Sequence, residues 1–255
     1  MAHSPLEQFE IHGLAPLGAG GFNLDFTNSA AWMVISLAVI WVFIFGGVRG
    51  AKLVPGRWQA AVESVYTFID NTLSANVGPE GKRFVPLIFS LFMFISAANF
   101  LSLAPVGVIP GLHPFAVTSH LTVTAMLAVF SFGTVLAVGF ARHGLRFFSL
   151  FVPHGVPGWM LPIIVPVEFV SFMIRPFSLA LRLFVAMTAG HILLEVLAGF
   201  IVGLGATGGA AMIVTLPTLA LLIGVLALEL LVCAIQAYVF ALLTSLYLND
   251  AIHLH

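Results

Sequence analysis

The sequence predicts an all-α polytopic membrane protein with about five membrane helices and one amphipathic surface helix. Composition is the first reason. Sixty per cent of the 255 residues are apolar and only 7 per cent are charged, whereas a soluble domain carries roughly 25 per cent charged residues. The second is a mean hydropathy of +1.12. The third is that apolar runs of about 20 residues, enough to cross a ~30 Å hydrocarbon core as helix, recur between charged or Pro/Gly-rich connections. The same figures exclude other classes. With 9 Lys+Arg against 10 Asp+Glu and a formal net charge of −1, no basic stripe exists to bind nucleic acid. The lone Cys233 excludes an intramolecular disulfide framework and a four-cysteine zinc site.

Residues 1–29 read as an N-terminal segment outside the membrane. Its first 21 residues hold no Lys or Arg and no early apolar stretch, so the basic start of a cleavable secretory signal is lacking and the spans themselves direct insertion. The first span is 30–48, uncharged throughout. Over 57–75, Trp58, Val62, Val65, Tyr66, Ile69 and Leu73 recur at helical spacing, with Gln59, Glu63, Thr67 and Asp70 on the other side. Such a helix lies on the inner membrane surface or packs on a partner protein. The second span is 84–104. A connection holding Pro105, Pro110, Gly111 and Pro114 cannot be continuous helix, and the third span, 120–141, follows it. The last two runs, 157–204 and 210–248, exceed one perpendicular crossing, so each is a strongly tilted helix or a bent pair.

Lys and Arg set the orientation. Arg49, Lys52, Arg57, Lys82 and Arg83 separate the first two spans and Arg142 and Arg146 follow the third, while residues 1–29 and 105–119 contain none. Five crossings then place the N-terminus outside and the C-terminus inside; His253 and His255 do not bear on this. No internal repeat is visible, so the inverted-repeat design of many secondary transporters has no support.

An ionisable residue at bilayer depth costs at least about 2.5 to 3.5 kcal/mol on insertion scales and is a functional candidate by default. Only the last two runs hold them: Glu168, Arg175, Arg182, His191 and Glu195 in one, Glu229 in the other together with the polar Gln236. Asn99 and His120 sit near span ends. Glu168, Arg175 and Arg182 are seven apart and share a helical face, drifting only about 20° per step; Glu229 and Gln236 are likewise seven apart. His191 and Glu195 form an i, i+4 pair, on nearly the opposite side from Arg182 in a regular helix. One helix therefore cannot aim them all at one point, and two separate aqueous paths fit the spacing. Along the axis, Arg182 is about 21 Å from Glu168 and about 13 Å from His191 at 1.5 Å per residue. Arginine does not lose its proton at accessible pH, so it acts as a fixed charge that attracts a carboxylate. Its partner is an acid of the last two helices or one from another subunit. Arg175, nearer the inner side, is placed either to snorkel or to serve the path.

These two segments, PVEFVSFMIRPFSLALRLFVAMTAGHIL from Pro166 and LELLVCAIQAYVFALLTSLYL from Leu228, resemble the signature helices of subunit a of F-type ATP synthases, in its bacterial and mitochondrial-like form. RFVPLIFSLFMFISAANFLSLAP (Arg83 to Pro105) and SPLEQFEI (Ser4 to Ile11) resemble the same family. The resemblance implies a stator beside a ring of c subunits, each with a buried carboxylate, and makes the last two runs a tilted hairpin against that ring. It places the essential arginine at Arg182 and the glutamine facing it at Gln236. The inner acid falls at Glu168, a small polar position at Ser178, and the outer pair at His191 and Glu229. Many bacterial members carry an acid at the former and a histidine at the latter, so this chain has the exchanged arrangement. Ala186 stands where Asn is frequent.

The expected function is proton translocation through two offset half-channels to and from the c-ring carboxylate. Outer-side protons pass His191, Glu195 and Glu229, with His120 at the mouth; inner-side protons leave past Glu168, Arg175 and Ser178; Arg182 prevents a short circuit. No phosphate loop of the form Gly-x-x-x-x-Gly-Lys-Ser/Thr is present, so ATP chemistry belongs to partner subunits, and no cofactor or metal is called for. Expected partners are the c-ring, b-type peripheral stalk subunits, the catalytic head and the lipid bilayer, with no nucleic acid. A start without an Arg-rich presequence points to a bacterial inner membrane rather than a mitochondrial one. Two rivals remain: a secondary transporter or antiporter using Glu168, Arg182 and Glu229, and an intramembrane enzyme on His191 and Glu195, which lacks the His-Glu-x-x-His zinc pattern.

Overall fold

The computed structural model describes residues 10–11, 13–15, 25–104, 115–152, 158–207 and 211–253. Most of the Ser4–Ile11 segment, most of the 105–119 connection, Pro157, residue 210 and His255 lie outside the described residues. A short antiparallel pair, β1 (Gly13–Ala15) and β2 (Phe26–Thr27), leads into six long helices. These are α1 (Asn28–Val48), α2 (Arg57–Val77), α3 (Val85–Ser102), α4 (Leu121–His143), α5 (Leu161–Thr207) and α6 (Ala211–Ile252). Tight 3-10 turns precede α3 (Pro79–Phe84) and follow α4 (Gly144–Phe151).

Five of the helical segments are long and apolar enough to cross a membrane: Asn28–Val48, Pro79–Ser102, Leu121–Phe151, Leu161–Gly205 and Val214–Ile252. The fold is thus the all-α polytopic class that composition predicts. The last two cover 45 and 39 residues, roughly twice what an upright crossing takes, so an apolar helix of that length stays in hydrocarbon only when strongly oblique. α5 runs through Pro166 and Pro176 and α6 through Pro217 without interruption. Membrane helices tolerate such breaks in the hydrogen-bond ladder because neighbouring groups satisfy the freed carbonyls.

The chain forms two compact units. One comprises residues 41–93, 121–182 and 237–255. In it, the stripe of α2 that carries Ile69, Leu73 and Val77 is buried with Val85 and Ile88 of α3 and Ala241, Leu248 and Ile252 of α6. The chain's own helices therefore cover that apolar stripe, leaving Trp58, Tyr66 and Phe68 exposed. Three polar ties hold the end of α6. Asn76 donates to Ser245 at 2.9 Å, the hydroxyls of Ser131 and Thr244 meet at 2.9 Å, and the His143 ring bonds the Ile252 carbonyl at 3.1 Å. Each such interhelical bond contributes about 0.6 kcal/mol in a bilayer, so their value is as much register as stability.

A second core of this unit joins Val135, Phe147, Phe151, Phe172 and Ala251. Phe147 is almost wholly buried, and Gly139 of α4 is what admits it, since a Cβ there would run into its ring. The other unit comprises residues 1–40, 94–120 and 183–236, where Trp32, Ile95, Ala98, Leu183, Met187, Leu197 and Cys233 are buried.

Gly139→Ala is expected to destabilise the detergent-solubilised protein by about 1 to 3 kcal/mol, the usual range for overpacking. Phe147→Leu in the same chain should recover part of that loss, read as the thermal midpoints of the single and double variants.

Candidate functional site

In the unit that holds residues 183–236, α5 and α6 run antiparallel: Cys233 lies 3.9 Å from the Met187 sulfur, and Glu229 comes beside Gly190 and His191. His191 is 8 per cent exposed and Glu229 only 2 per cent. The imidazole Nε2 stands 3.0 Å from the Ser102 hydroxyl and 3.9 Å from the Glu229 carboxyl. Ser102 gives its own hydrogen to the Asn99 carbonyl at 2.7 Å, so it meets the ring with a lone pair. The network therefore puts a proton on Nε2 of His191.

Behind this pair the polar chain continues. Asn99, fully buried, accepts from the Thr118 hydroxyl at 2.8 Å and donates to the Cys233 carbonyl at 3.4 Å. Thr188 of α5 donates to the Ser119 carbonyl at 3.3 Å. His120 stacks on Phe115 with centroids 4.9 Å apart. Among the described residues neither oxygen of Glu229 accepts a hydrogen bond, which keeps both available to a proton. Gly190 makes the room: a Cβ on it would come within 2.5 Å of the Glu229 carboxyl.

The unit that holds residues 121–182 and 237–255 has its own charged group. Arg175 donates to Asp250 at 2.7 Å, and its guanidinium lies 5.2 Å over the Phe172 ring and 5.0 Å over the Tyr247 ring. Two i, i+3 pairs, Phe172/Arg175 on α5 and Tyr247/Asp250 on α6, thus face each other. This arrangement holds Arg175 in the fold rather than letting it snorkel. Glu168 and Ser178 are half-buried on α5 and Arg182 is exposed. In the other unit Gln236 is buried and Glu195 half-buried.

The structure thus brings His191 to Glu229 and gives Arg175 a partner, Asp250, that the sequence does not single out. Asp250, Tyr247, Ser102 and Thr118 were missed. Asp250 lies beyond Leu248, where the apolar run ends, although its i, i+3 spacing from Tyr247 was there to read. Ser and Thr carry no hydropathy signal against a background of apolar residues.

Apolar helices crossing a membrane, with ionisable side chains concentrated on the last two, define a polytopic protein built to move a small ion through hydrocarbon. Residues 30–249 match the family described as ATP synthase A chain. The chain is 61% identical to ATP synthase subunit a of Rhizorhabdus wittichii, over 98% of its own length and 97% of the relative's. The same protein of Sphingopyxis alaskensis is 59% identical and that of Zymomonas mobilis 58%, each with that same coverage. The chain belongs to the ATP synthase A chain family. It is a membrane subunit of an F-type ATP synthase with that family's proton-translocating stator role, which displaces the secondary-transporter reading.

Gly190→Ala is expected to push the Glu229 carboxyl aside and lower the thermal midpoint. Adding Glu229→Asp, which withdraws the carboxyl by one methylene, should restore most of it; a thermal series on both variants checks the pair.

Proposed function

We propose that this chain passes protons to and from a rotor carboxylate through two offset half-paths kept apart by Arg182. The observation that carries the reading is the buried His191–Glu229 contact at 3.9 Å with Ser102 on the same ring nitrogen. A chain of exchangeable groups has no packing rationale inside an apolar helix pair, and the family role supplies one.

Protons enter from the outer side past His120 and Glu195, reach His191 and Glu229, and pass to a carboxylate on the c-ring. Histidine suits the relay because it can take a proton on one ring nitrogen and give one up from the other. Once protonated the ring carboxyl is neutral and enters lipid at little cost, so the ring advances. Arg182, always charged, attracts the next carboxylate after it has released its proton, and Gln236 orients the guanidinium without adding charge. The released proton leaves past Ser178 and Glu168 to the inner side, where Arg175 with its partner Asp250 shapes the exit. Ala186, in place of the frequent Asn, removes one hydrogen-bonding group near Arg182 and leaves this charge logic intact.

The partners are then the c-ring, b-type stalk subunits and the catalytic head, within a bacterial inner membrane. The N-terminus is outside and the C-terminus inside, since Lys and Arg cluster in the connections after the first and third spans.

Arg182→Ala is expected to abolish proton-driven ATP synthesis in inverted vesicles while the complex still assembles; retained synthesis refutes the assignment. Glu168→Gln and His191→Ala should each slow proton flux toward the lower part of the roughly 10²–10⁴ that a positioned proton-transfer group contributes. Unchanged flux in both would mean the half-paths run elsewhere.

A further inference from the structure

A cavity of about 380 Å³ lies where the turn before α3 meets the end of α4, lined by Pro79, Glu80, Arg83, Phe84 and Arg142. It belongs to neither proton path. Arg142 pairs with Glu80 across it, and both side chains remain nearly half exposed. Arg83 is exposed and has no ion-pair or hydrogen-bond partner among the described residues. Two guanidiniums against one carboxylate leave the cavity one positive charge in excess. Lys82 and Arg146, both exposed, flank it in sequence.

We propose that this cavity holds the phosphodiester headgroup of an anionic membrane lipid. Charge is the first argument: one surplus positive charge matches one phosphodiester, and a guanidinium fork presents paired donors at the spacing of phosphate oxygens. Position is the second. Pro79 begins one apolar crossing segment and Arg142 lies near the end of a helix in another, so the cavity sits where headgroups lie, and basic pockets between spans at that depth bind anionic lipids. The wall is the third. Phe84 and Pro79 give it an apolar side, which suits a glycerol backbone leading into acyl chains and has no use for a free hydrated ion. The volume falls in the range of small-ligand sites. Glu80 competes with the phosphate for Arg142, so it weakens the site rather than building it.

The test uses the whole complex, stripped of lipid in mild detergent and titrated with spin-labelled phosphatidylglycerol or phosphatidylcholine, the immobilised fraction being read by electron paramagnetic resonance. Phosphatidylglycerol should be held in preference to phosphatidylcholine. Arg83→Gln should weaken that retention about fivefold, the effect of one basic residue at an anionic lipid surface, and Arg83→Lys should recover part of it. Glu80→Gln should tighten it. Equal retention of the two lipids, no loss in Arg83→Gln, or displacement of the lipid by excess inorganic phosphate would each overturn the proposal. So would loss of a partner subunit from Arg83→Gln with lipid binding unchanged. If Arg83→Gln fails to assemble, Glu80→Gln decides alone, and no tightening overturns it.

Discussion

A charge inside hydrocarbon must be paired, hydrated or offered to a partner, and this constraint orders the rest of the molecule. At no less than about 2.5 to 3.5 kcal/mol each on insertion scales, ionisable groups are affordable only where the fold answers them. Glu229 is answered by His191, whose ring is held by Ser102, and Arg175 is answered by Asp250 and two aromatic faces. The first three spans, 30–48, 84–104 and 120–141, hold no Asp, Glu, Lys or Arg, and Asn99 and Ser102 of the second supply neutral polar groups to the site. Even the glycine pattern follows, since Gly190 is the gap that a carboxyl at Glu229 needs.

The supporting structure is accordingly concerned with register. Thr244 and Ser245 are consecutive on α6 yet bond to different helices, α4 and α2, and the Ile252 carbonyl at the end of α6 is met by His143. Bonds of this kind are individually weak in a bilayer. Their directionality fixes rotation and translation of a long apolar helix that shape alone would leave free to slide. Sliding of that kind would break the buried contacts of 3.0 and 3.9 Å that His191 makes with Ser102 and Glu229.

What the sequence disclosed follows from the same physics. Arg182, His191 and Glu229 stand out because charge is scarce among apolar residues, and hydropathy alone gives the all-α membrane class. Three-dimensional pairing was less accessible. The i, i+4 relation pairs His191 with Glu195, while the contact with Glu229 joins α5 to α6, and no spacing rule within one helix reveals that one. Asp250 stayed hidden because the apolar run stops at Leu248 while α6 continues to Ile252. Ser102 and Thr118 were invisible for a different reason: a hydroxyl costs too little in an apolar run to mark itself, and matters only through the partner it meets.

The central claim is that a single fixed guanidinium separates two proton-accessible paths. Its most direct test is the passive proton conductance of membranes carrying the assembled complex with the ring immobilised by a cross-link. The intact protein should be tight. Replacing Arg182 by Ala should open a leak that a second change, His191→Ala or Glu168→Gln, closes again. An assembled Arg182→Ala complex as tight as the intact one would contradict the account.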